Sequence, residues 1–351
     1  MQRPVGVQVI VSIQYLRAVA ALSVAFYHLG NHAGISFEVG AAGVDLFFVI
    51  SGFIMWTVTI GRKSDPGSFM IDRVTRIAPP YILLTVLVFL IARYVPSVFP
   101  NMRTSLSHTV LSMLFIPHTD PYGTSYPVIV AGWTLNYELF FYAVFAIMLF
   151  LPARMRLHAS TAILILLVVI GLSLGPALPV AKAYTSPLLL EFCAGLWLGA
   201  AWTDRRLPAV RWGAGGMLAG GAGLVLWQVL QGTDPGLWRA FVWGIPAVLV
   251  VGGALTIERH ETLRQFRPLL LLGNASYSIY LVNAFTTAAA WRLMRGSSVQ
   301  VYYIVGMLLA VAGGLLFWWL VERPVTRHLR RWFHRQVPIS DLSFQPAPNT
   351  R

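Results

Sequence analysis

The 351-residue chain is poor in the residues that solvate a protein or cross-link it. Only 11% of its residues are charged, against roughly a quarter in soluble domains, and just 13 residues are acidic. Its single cysteine, Cys193, excludes an internal disulfide and a multi-thiolate metal site. Hydrophobic residues make up 57% of the chain, which is too apolar for a disordered or a cytosolic globular protein. The composition therefore indicates an integral membrane protein.

Several common functional motifs are absent as well. The chain contains no P-loop, no G-x-S-x-G nucleophile elbow, no H-E-x-x-H and no dinucleotide fingerprint with a following acidic residue. Its eight histidines are scattered, so we expect no metal site. A formal net charge of +13 is compatible with nucleic-acid binding, but the apolar content favours a membrane protein, and no nucleic-acid partner is expected.

Long apolar runs predict an all-α, polytopic fold with about ten transmembrane helices. A helix needs about 20 mostly apolar residues to cross the bilayer core. Such runs lie at residues 10–30, 42–61, 77–95, 132–151, 159–175, 186–203, 212–230, 238–257, 268–290 and 299–320. We expect one transmembrane domain over 8–322, with a short interfacial or re-entrant helix at 106–117. The tail, 323–351, is predicted to begin as a basic amphipathic stretch and to end disordered.

The distribution of basic residues predicts the orientation. With both termini in the cytoplasm, nineteen of the 26 Lys and Arg residues lie on the cytoplasmic side and six on the other, while Arg17 lies inside the first span. Basic loops resist translocation across the membrane. Both termini are therefore expected to be cytoplasmic, with the basic part of the tail on the anionic lipids of the inner leaflet.

Five ionisable side chains fall within or next to the predicted spans: Arg17, His28, Asp45, Glu138 and Glu191. Each costs roughly 2.5–3.5 kcal/mol to insert and is a functional candidate for that reason. Arg17 and His28 lie on nearly the same helix face, about 16 Å apart along the axis. Purely structural interpretations are also open. His28 could be a hydrogen-bonded core residue, and Arg17 could form an ion pair with Glu138 or Glu191. Asp45 could stabilise a helix start, and Glu191 could mark a helix-packing site beside small residues.

The segment before the third predicted span carries a pair of arginines. Arg73 and Arg76 are three residues apart, which places them on one face of a helix that enters the membrane. Guanidinium groups bind phosphate bidentately, so the pair suits a phosphate-rich ligand. An anchor for the lipid head groups is the other interpretation, and the residues alone favour neither.

Seven motifs follow one another in the order of a known family. They are LRAVAALSVAFYHL, with Arg17 and His28 in an Arg-x10-His spacing, then GVDLFFVISGFIM, DRVTRIAPPY, GWTLNYELFFY, LLLEFCAGLWLG, LGNASYSIYL and VERP. From about Tyr15 to Arg331 the chain resembles the membrane acyltransferase-3 family, and within it the branch that O-acylates bacterial exopolysaccharides. Two positions depart from the family pattern, with Asn274 where many relatives have Asp and Asn283 where a His is frequent. The second change argues against proton transfer by that span.

The resemblance implies acyl transfer from cytoplasmic acyl-coenzyme A, typically acetyl-coenzyme A, to a sugar hydroxyl of a lipid-linked or polymeric glycan. Arg73 and Arg76, together with Ser51, are expected to bind the donor. His28 would act as the general base or carry the acyl group transiently. Glu138 would orient His28. Arg17 would line the path of the donor or stabilise developing negative charge. The residues expected to line the substrate site are Asp45, Glu191, Tyr277 and Tyr280.

A location in the bacterial cytoplasmic (inner) membrane follows from the same resemblance, with membrane lipids and a polysaccharide assembly machinery as expected partners. Two other functions stay open at this point. A transporter or flippase could move a glycolipid or an acyl donor along the polar path of Arg17, His28 and Glu138, although the absence of an internal repeat disfavours it. An inactive scaffold of a polysaccharide assembly complex is the third.

Overall fold

The computed structural model describes residues 9–60, 65–100 and 102–333, and every regular element in these ranges is helical. The α-helices are α1 Val11–Ala33, α2 Gly43–Thr59, α3 Pro66–Tyr94, α4 Leu106–Met113, α5 Gly132–Met148, α6 Ala153–Leu174, α7 Pro179–Tyr184, α8 Leu189–Thr203, α9 Val210–Leu230, α10 Ile245–His260, α11 Arg267–Asn274, α12 Ser276–Leu293, α13 Val299–Phe317 and α14 Arg323–Phe333. Short 3-10 and π turns adjoin α2, α10 and α13. The predicted all-α class is confirmed for these ranges.

Six of the described helical segments are long and apolar enough to cross a membrane, and the bent pair α11–α12 would make a seventh. The other three predicted spans correspond to α1, α5 and α8. Helix α5 has 17 residues and α8 has 15, which is short for a bilayer crossing, and α1 carries Arg17 and His28 among its 23 residues. The chain is a multi-pass helical membrane protein, and the number of ten spans stays a prediction.

Helix α3 begins earlier than the sequence predicts, at Pro66 instead of residue 77. The Asp65 side chain caps it by accepting a hydrogen bond from the backbone nitrogen of Ser68 at 2.7 Å. Proline suits the first helical position because its missing N–H would have no partner there. This early start places Arg73 and Arg76 on α3 itself, where both side chains point towards the same surface.

The span predicted at 268–290 corresponds to two helices and not to one straight helix. The chain bends by 73° at Ala275, between α11 and α12. The adjoining Gly273 packs directly on α1, since a Cβ at this position would lie 2.2 Å from the carbonyl oxygen of Gln14. The bend lets α12 start in the interior of the bundle with Ser276 and Tyr277.

Helices α2 and α8 pack against each other through glycine. A Cβ added at Gly52 would lie 2.1 Å from the carbonyl oxygen of Phe192, and one at Gly195 would lie 2.1 Å from that of Val49. Small residues allow such close approach of two helix backbones in a membrane. The small residues that follow Glu191 in the sequence therefore serve helix packing.

Helix α1 lies at the centre of the bundle, in contact with α2, α10, α11, α12 and α13. Its first backbone N–H groups, at Val11 and Ser12, donate to the Glu258 carboxylate of α10 at 2.7 and 2.8 Å. A negative charge at a helix N-terminus is stabilising. At the other end of the chain, α14 packs on α3. Residues 334–351, where the disordered end of the tail is predicted, lie outside the described residues.

Candidate active site

A cavity opens between α1, α2, α3, α5 and α12 and encloses about 730 Å³, including its solvent-open part. Seven of the ten predicted site residues line it: Arg17, Ser51, Arg73, Arg76, Glu138, Tyr277 and Tyr280. Apolar side chains from the same helices, such as Phe47, Ile54, Met55 and Leu135, complete its wall. A cavity of this size, with an apolar wall and a few convergent polar groups, has the form of a small-molecule or cofactor site.

The charged lining of the cavity is predominantly cationic. Arg17, Arg73 and Arg76 face a single carboxylate, that of Glu138. Arg17 is 8% exposed and Arg73 5%, so two of these guanidinium groups are held away from bulk water. Among the described residues the Arg73 Nε atom has no hydrogen-bond partner. A buried donor in this state favours an anionic ligand that can accept its hydrogen bond.

Arg17 makes no close ion pair with Glu138 or Glu191 within the described ranges, so the alternative of a bundle-stabilising pair is not seen there. The charges that act on Arg17 come chiefly from Arg76, Glu322 and Glu138. The nearest carboxylates do not contact the guanidinium directly, and a second arginine opposes them. Arg17 therefore contributes positive charge to the cavity that the protein only partly balances.

Glu138 is held by two hydroxyl groups. Tyr142, one turn along α5, donates a hydrogen bond to the Glu138 Oε1 atom. Ser51 of α2 donates to the same oxygen at 3.3 Å and lies 3.5 Å from the Tyr142 hydroxyl. The Ser-Gly-Phe motif of α2 and the Glu motif of α5 thus meet in one hydrogen-bonded group. Tyr142 was not among the predicted site residues, although it lies in the GWTLNYELFFY motif.

The two tyrosines of α12 close the cavity towards its neighbouring helices. Tyr277 donates a hydrogen bond to the carbonyl oxygen of Ile77 at 2.7 Å, which ties α12 to α3. The Tyr280 hydroxyl lies 3.0 Å from Thr134 Oγ1 on α5. Between them Ser276, fully buried in the cavity lining, has an Oγ atom without a partner in the described part of the chain. Like Arg73 Nε, this atom is available to a ligand.

The C-terminal helices add two charged groups that the sequence did not single out. Glu322 accepts a hydrogen bond from Ser278 at 2.5 Å and interacts with Arg17 and Arg76. Arg330 of α14 lies close enough to α3 to interact electrostatically with Arg73, Arg76 and Asp72, and its Nε atom also lacks a partner among the described groups. Four arginines thus converge at this end of the bundle.

His28 lies outside the cavity lining. It follows Arg17 by three turns on one continuous helix, about 16 Å further along the axis. Its ring lies 5.1 Å from the ring of Tyr27, measured between centroids, and it interacts electrostatically with His32. The hydrogen bonds of Glu138 go to Ser51 and Tyr142, so the expected Glu138–His28 pair is not formed in the described structure.

Asp45 and Glu191, predicted as substrate-lining residues, form a separate buried cluster with an arginine. Arg239 donates to Asp45 at 2.8 and 3.2 Å and to the carbonyl oxygen of Ala41 at 2.9 Å. Glu191, 2% exposed, interacts electrostatically with Asp45 and Arg239, and neither of its carboxylate oxygens has a hydrogen-bond partner among the described groups. Arg239 is one of the six basic residues that the sequence predicts on the non-cytoplasmic side. Its partner lies 194 positions away, so no local pattern could reveal this ion pair.

The chemistry of the cavity fits acyl transfer from an anionic donor. Its cationic end can bind phosphate groups, and its apolar wall can hold an uncharged arm. The Ser276 hydroxyl, which has no partner among the described residues, is available to hydrogen-bond a carbonyl oxygen.

Comparison with known proteins agrees with this geometry. The family model described as "Acyltransferase domain" matches residues 10–321. The "Exopolysaccharide production protein ExoZ" of Rhizobium meliloti is 37% identical over 308 residues, which cover 87% of this chain and 95% of that protein. The "Peptidoglycan O-acetyltransferase OatA" of Listeria monocytogenes is 26% identical over 77% of this chain and 48% of its own length.

A third relative, the "Putative peptidoglycan O-acetyltransferase YrhL" of Bacillus subtilis, is 24% identical over 92% of this chain and 56% of its own length. No solved structure matches the chain. The family model spans nearly all of the described helices, and the ExoZ protein aligns over almost its whole length. On these grounds the chain belongs to the acyltransferase-3 family and is a multi-pass membrane acyltransferase.

Proposed function

We propose that the protein transfers an acyl group, in the simplest case acetyl, from cytoplasmic acyl-coenzyme A to a hydroxyl of an exopolysaccharide or other cell-surface glycan precursor. It would act in the bacterial inner membrane, with ten spans and both termini in the cytoplasm. The observation that carries the proposal is the cavity in which Arg17, Arg73 and Arg76 outnumber the single Glu138.

The donor half of the proposal rests on the charge and shape of this cavity. Coenzyme A carries several phosphate charges at one end and a thioester at the other, joined by an uncharged arm. Arg73 and Arg76, joined by Arg330, would bind the phosphates at the cytoplasmic end of α3. Ser276, whose Oγ atom has no partner among the described residues, would then be available to the thioester carbonyl oxygen, which gains negative charge during transfer.

The acceptor half rests on the relatives and on the position of His28. One relative is named for exopolysaccharide production and two for O-acetylation of peptidoglycan, and a polysaccharide hydroxyl is the common acceptor class. In the transfer step the acyl C–S bond breaks and a C–O bond forms, and coenzyme A leaves as the free thiol with the proton that the sugar hydroxyl gives up. His28 would take this proton or carry the acyl group, on the side of α1 away from the donor phosphates.

Transfer of label by the purified protein tests the proposal. The full chain in lipid nanodiscs is given radiolabelled acetyl-coenzyme A and exopolysaccharide from a strain that lacks the protein. We expect label in the polysaccharide, and we expect Arg73→Ala to raise the KM for acetyl-coenzyme A at least about tenfold, because a hydrogen bond to a charged group contributes about 1.5–3 kcal/mol.

Arg154→Ala is the matched control, since Arg154 is an exposed arginine at the start of α6 and outside the cavity lining. Its KM should equal that of the wild type. A folded wild-type protein that never transfers label to polysaccharide would refute the proposed function. Movement of glycolipid across the membrane without label transfer would instead favour the flippase.

A further inference from the structure

A second cavity lies beside the first turns of α5, outside the site described above. It encloses about 1130 Å³, including its solvent-open part, and is lined by the loop before α5, the first turns of α5, α7 and the segment before α10. In the proposed topology all of these segments lie on the non-cytoplasmic side. Its floor and walls are aromatic and polar: Tyr126, Trp133, Asn136, Tyr137, Asp234 and Arg239.

The aromatic side chains of this outer cavity are held by ring contacts while they line the open space. The half-buried Trp133 and Tyr137 meet edge to face at a centroid distance of 5.8 Å. Arg239 lies 5.7 Å over the Trp133 ring. Tyr126, 47% exposed, stands at the cavity edge. Fixed aromatic surfaces beside hydrogen-bonding groups suit a ligand that has both apolar C–H faces and hydroxyl groups.

Asn136 gives an independent indication of a polar ligand. It lines the outer cavity and is 4% exposed, and its Oδ1 atom has no hydrogen-bond partner within the described part of the chain. A buried amide oxygen without a partner is costly, and a ligand that donates a hydrogen bond would remove this cost. A hydroxyl group can donate such a bond, whereas a lipid acyl chain cannot.

The charge of the outer cavity differs from that of the cavity lined by Arg17, Arg73 and Arg76, which we call the donor cavity. Arg239 is balanced by Asp45 at 2.8 Å and by Asp234 at 3.7 Å. The exposed Lys182 adds one charge at the rim. A nearly balanced set of this kind offers little attraction to a polyphosphate. It therefore favours a ligand recognised through hydroxyl groups over a second coenzyme A site.

The two cavities are neighbours. Phe48 of α2 lines the donor cavity, and its ring lies 6.5 Å from Trp133 and 5.9 Å from Tyr137 of the outer cavity. The first turns of α5 contribute to both, with Thr134 and Leu135 in one lining and Asn136 and Tyr137 in the other. A ligand in the outer cavity would thus lie close to the donor cavity.

We infer that the outer cavity binds the acceptor sugar, with Trp133 and Tyr137 against the apolar face of the ring and Asn136 as an acceptor for one of its hydroxyls. The inference rests on the proposed function for the identity of the reaction, and it adds the carbohydrate subsite and the residues that form it. It separates the acceptor residues from the donor residues, so the two sets can be varied one at a time.

Kinetics with non-acylated exopolysaccharide as the varied substrate test the subsite. The probe comes from a strain without the protein, and the full chain is assayed in nanodiscs. Trp133→Ala and Asn136→Ala should each raise the KM for the polysaccharide roughly tenfold, as expected for the loss of one stacking or hydrogen-bonding contact. The binding of labelled acetyl-coenzyme A, measured without acceptor, should stay within twofold of the wild type.

Trp238→Ala is the control, because Trp238 is a 69% exposed tryptophan at the same end of the molecule and outside the outer cavity lining. A polysaccharide KM that is unchanged in both Trp133→Ala and Asn136→Ala would overturn the inference. So would a loss of donor binding in Asn136→Ala, since the residue would then act through the fold. A wild type that binds acetyl-coenzyme A but never acylates the polysaccharide would refute the proposed function instead.

Discussion

Arg17 and His28 share a face of α1 but have different surroundings. Arg17 lines the donor cavity with two further arginines, whereas His28 lies three turns away, beside Tyr27 and outside that lining. A single group of the substrate cannot contact both, because they are about 16 Å apart. In the proposed function, the Arg-x10-His spacing would therefore separate a donor role at one end of α1 from a proton-transfer or acyl-carrying role nearer the other.

His28→Ala should abolish transfer to the glycan without weakening donor binding. Loss of a general base lowers rates by about 10²–10⁴-fold. His28 is not among the residues that line the donor cavity. The affinity for acetyl-coenzyme A should therefore stay within about twofold of the wild-type value. Label transfer at saturating donor measures the first quantity and equilibrium dialysis with labelled donor the second.

His32→Ala provides the comparison for this variant. His32 lies one turn further along α1 and is exposed. Its substitution therefore removes the same type of side chain from the same helix. It should retain the wild-type transfer rate. Normal glycan acylation in His28→Ala would remove His28 from the mechanism, and a weakened donor affinity would place it in the donor site instead.

At the scale of elements, α14 packs on α3 and also has the composition of a helix on a lipid surface. The segment RPVTRHLRRWFHR is basic and amphipathic, which is typical of a helix on anionic lipid. Its described part, Arg323–Phe333, packs on α3. Arg330 faces Arg73 and Arg76, while Arg327 and Arg331 of the same helix are exposed. The helix thus combines a lipid-facing charge pattern with one arginine directed at the donor site.

Arg330→Ala should raise the KM for acetyl-coenzyme A about fivefold, which corresponds to about 1 kcal/mol. The reason is the loss of one of four positive charges that converge on the phosphate end of the donor. The same assay of label transfer measures the effect. Because Arg330 lies at the edge of the site, the maximal rate should change less than the KM.

Arg327→Ala is the matched variant, since it removes an exposed arginine from the same helix. Its donor KM should equal that of the wild type, although both variants lose one charge near the lipid surface. Equal effects of the two substitutions would mean that α14 acts through the membrane rather than through the donor site.

The sequence predicted the elements and most donor residues because both leave local signals. An arginine or glutamate within an apolar run stands out, and Arg17, Arg73, Arg76 and Glu138 do meet in one cavity. Long-range partners leave no such signal. The sequence therefore missed Arg330 beside α3, and the bend at Ala275 could not be read from an apolar run that continues through it.

At the scale of the described molecule, two neighbouring cavities share α5. The lining of the donor cavity includes the arginines near the start of α3, and that of the outer cavity includes the loops before α5 and α10. Helix α5 takes part in both, and Phe48 lies between them. Such an arrangement permits a donor from one side of the membrane to meet an acceptor from the other. It requires that the two openings face opposite compartments.

Cysteine labelling across the membrane measures this requirement and the number of spans. Cys193 is buried and is first replaced by alanine. In intact inner-membrane preparations that expose the periplasmic face, a membrane-impermeant maleimide should label cysteines at the exposed positions Ser125 and Ser297, and label those at Met155 and Asp204 only after permeabilisation. This pattern of labelling requires that the short helices α5 and α8 cross the membrane and that the basic loops face the cytoplasm. Labelling of Met155→Cys from the same side as Ser125→Cys would show that α5 does not cross, and the donor and acceptor openings would then share one compartment.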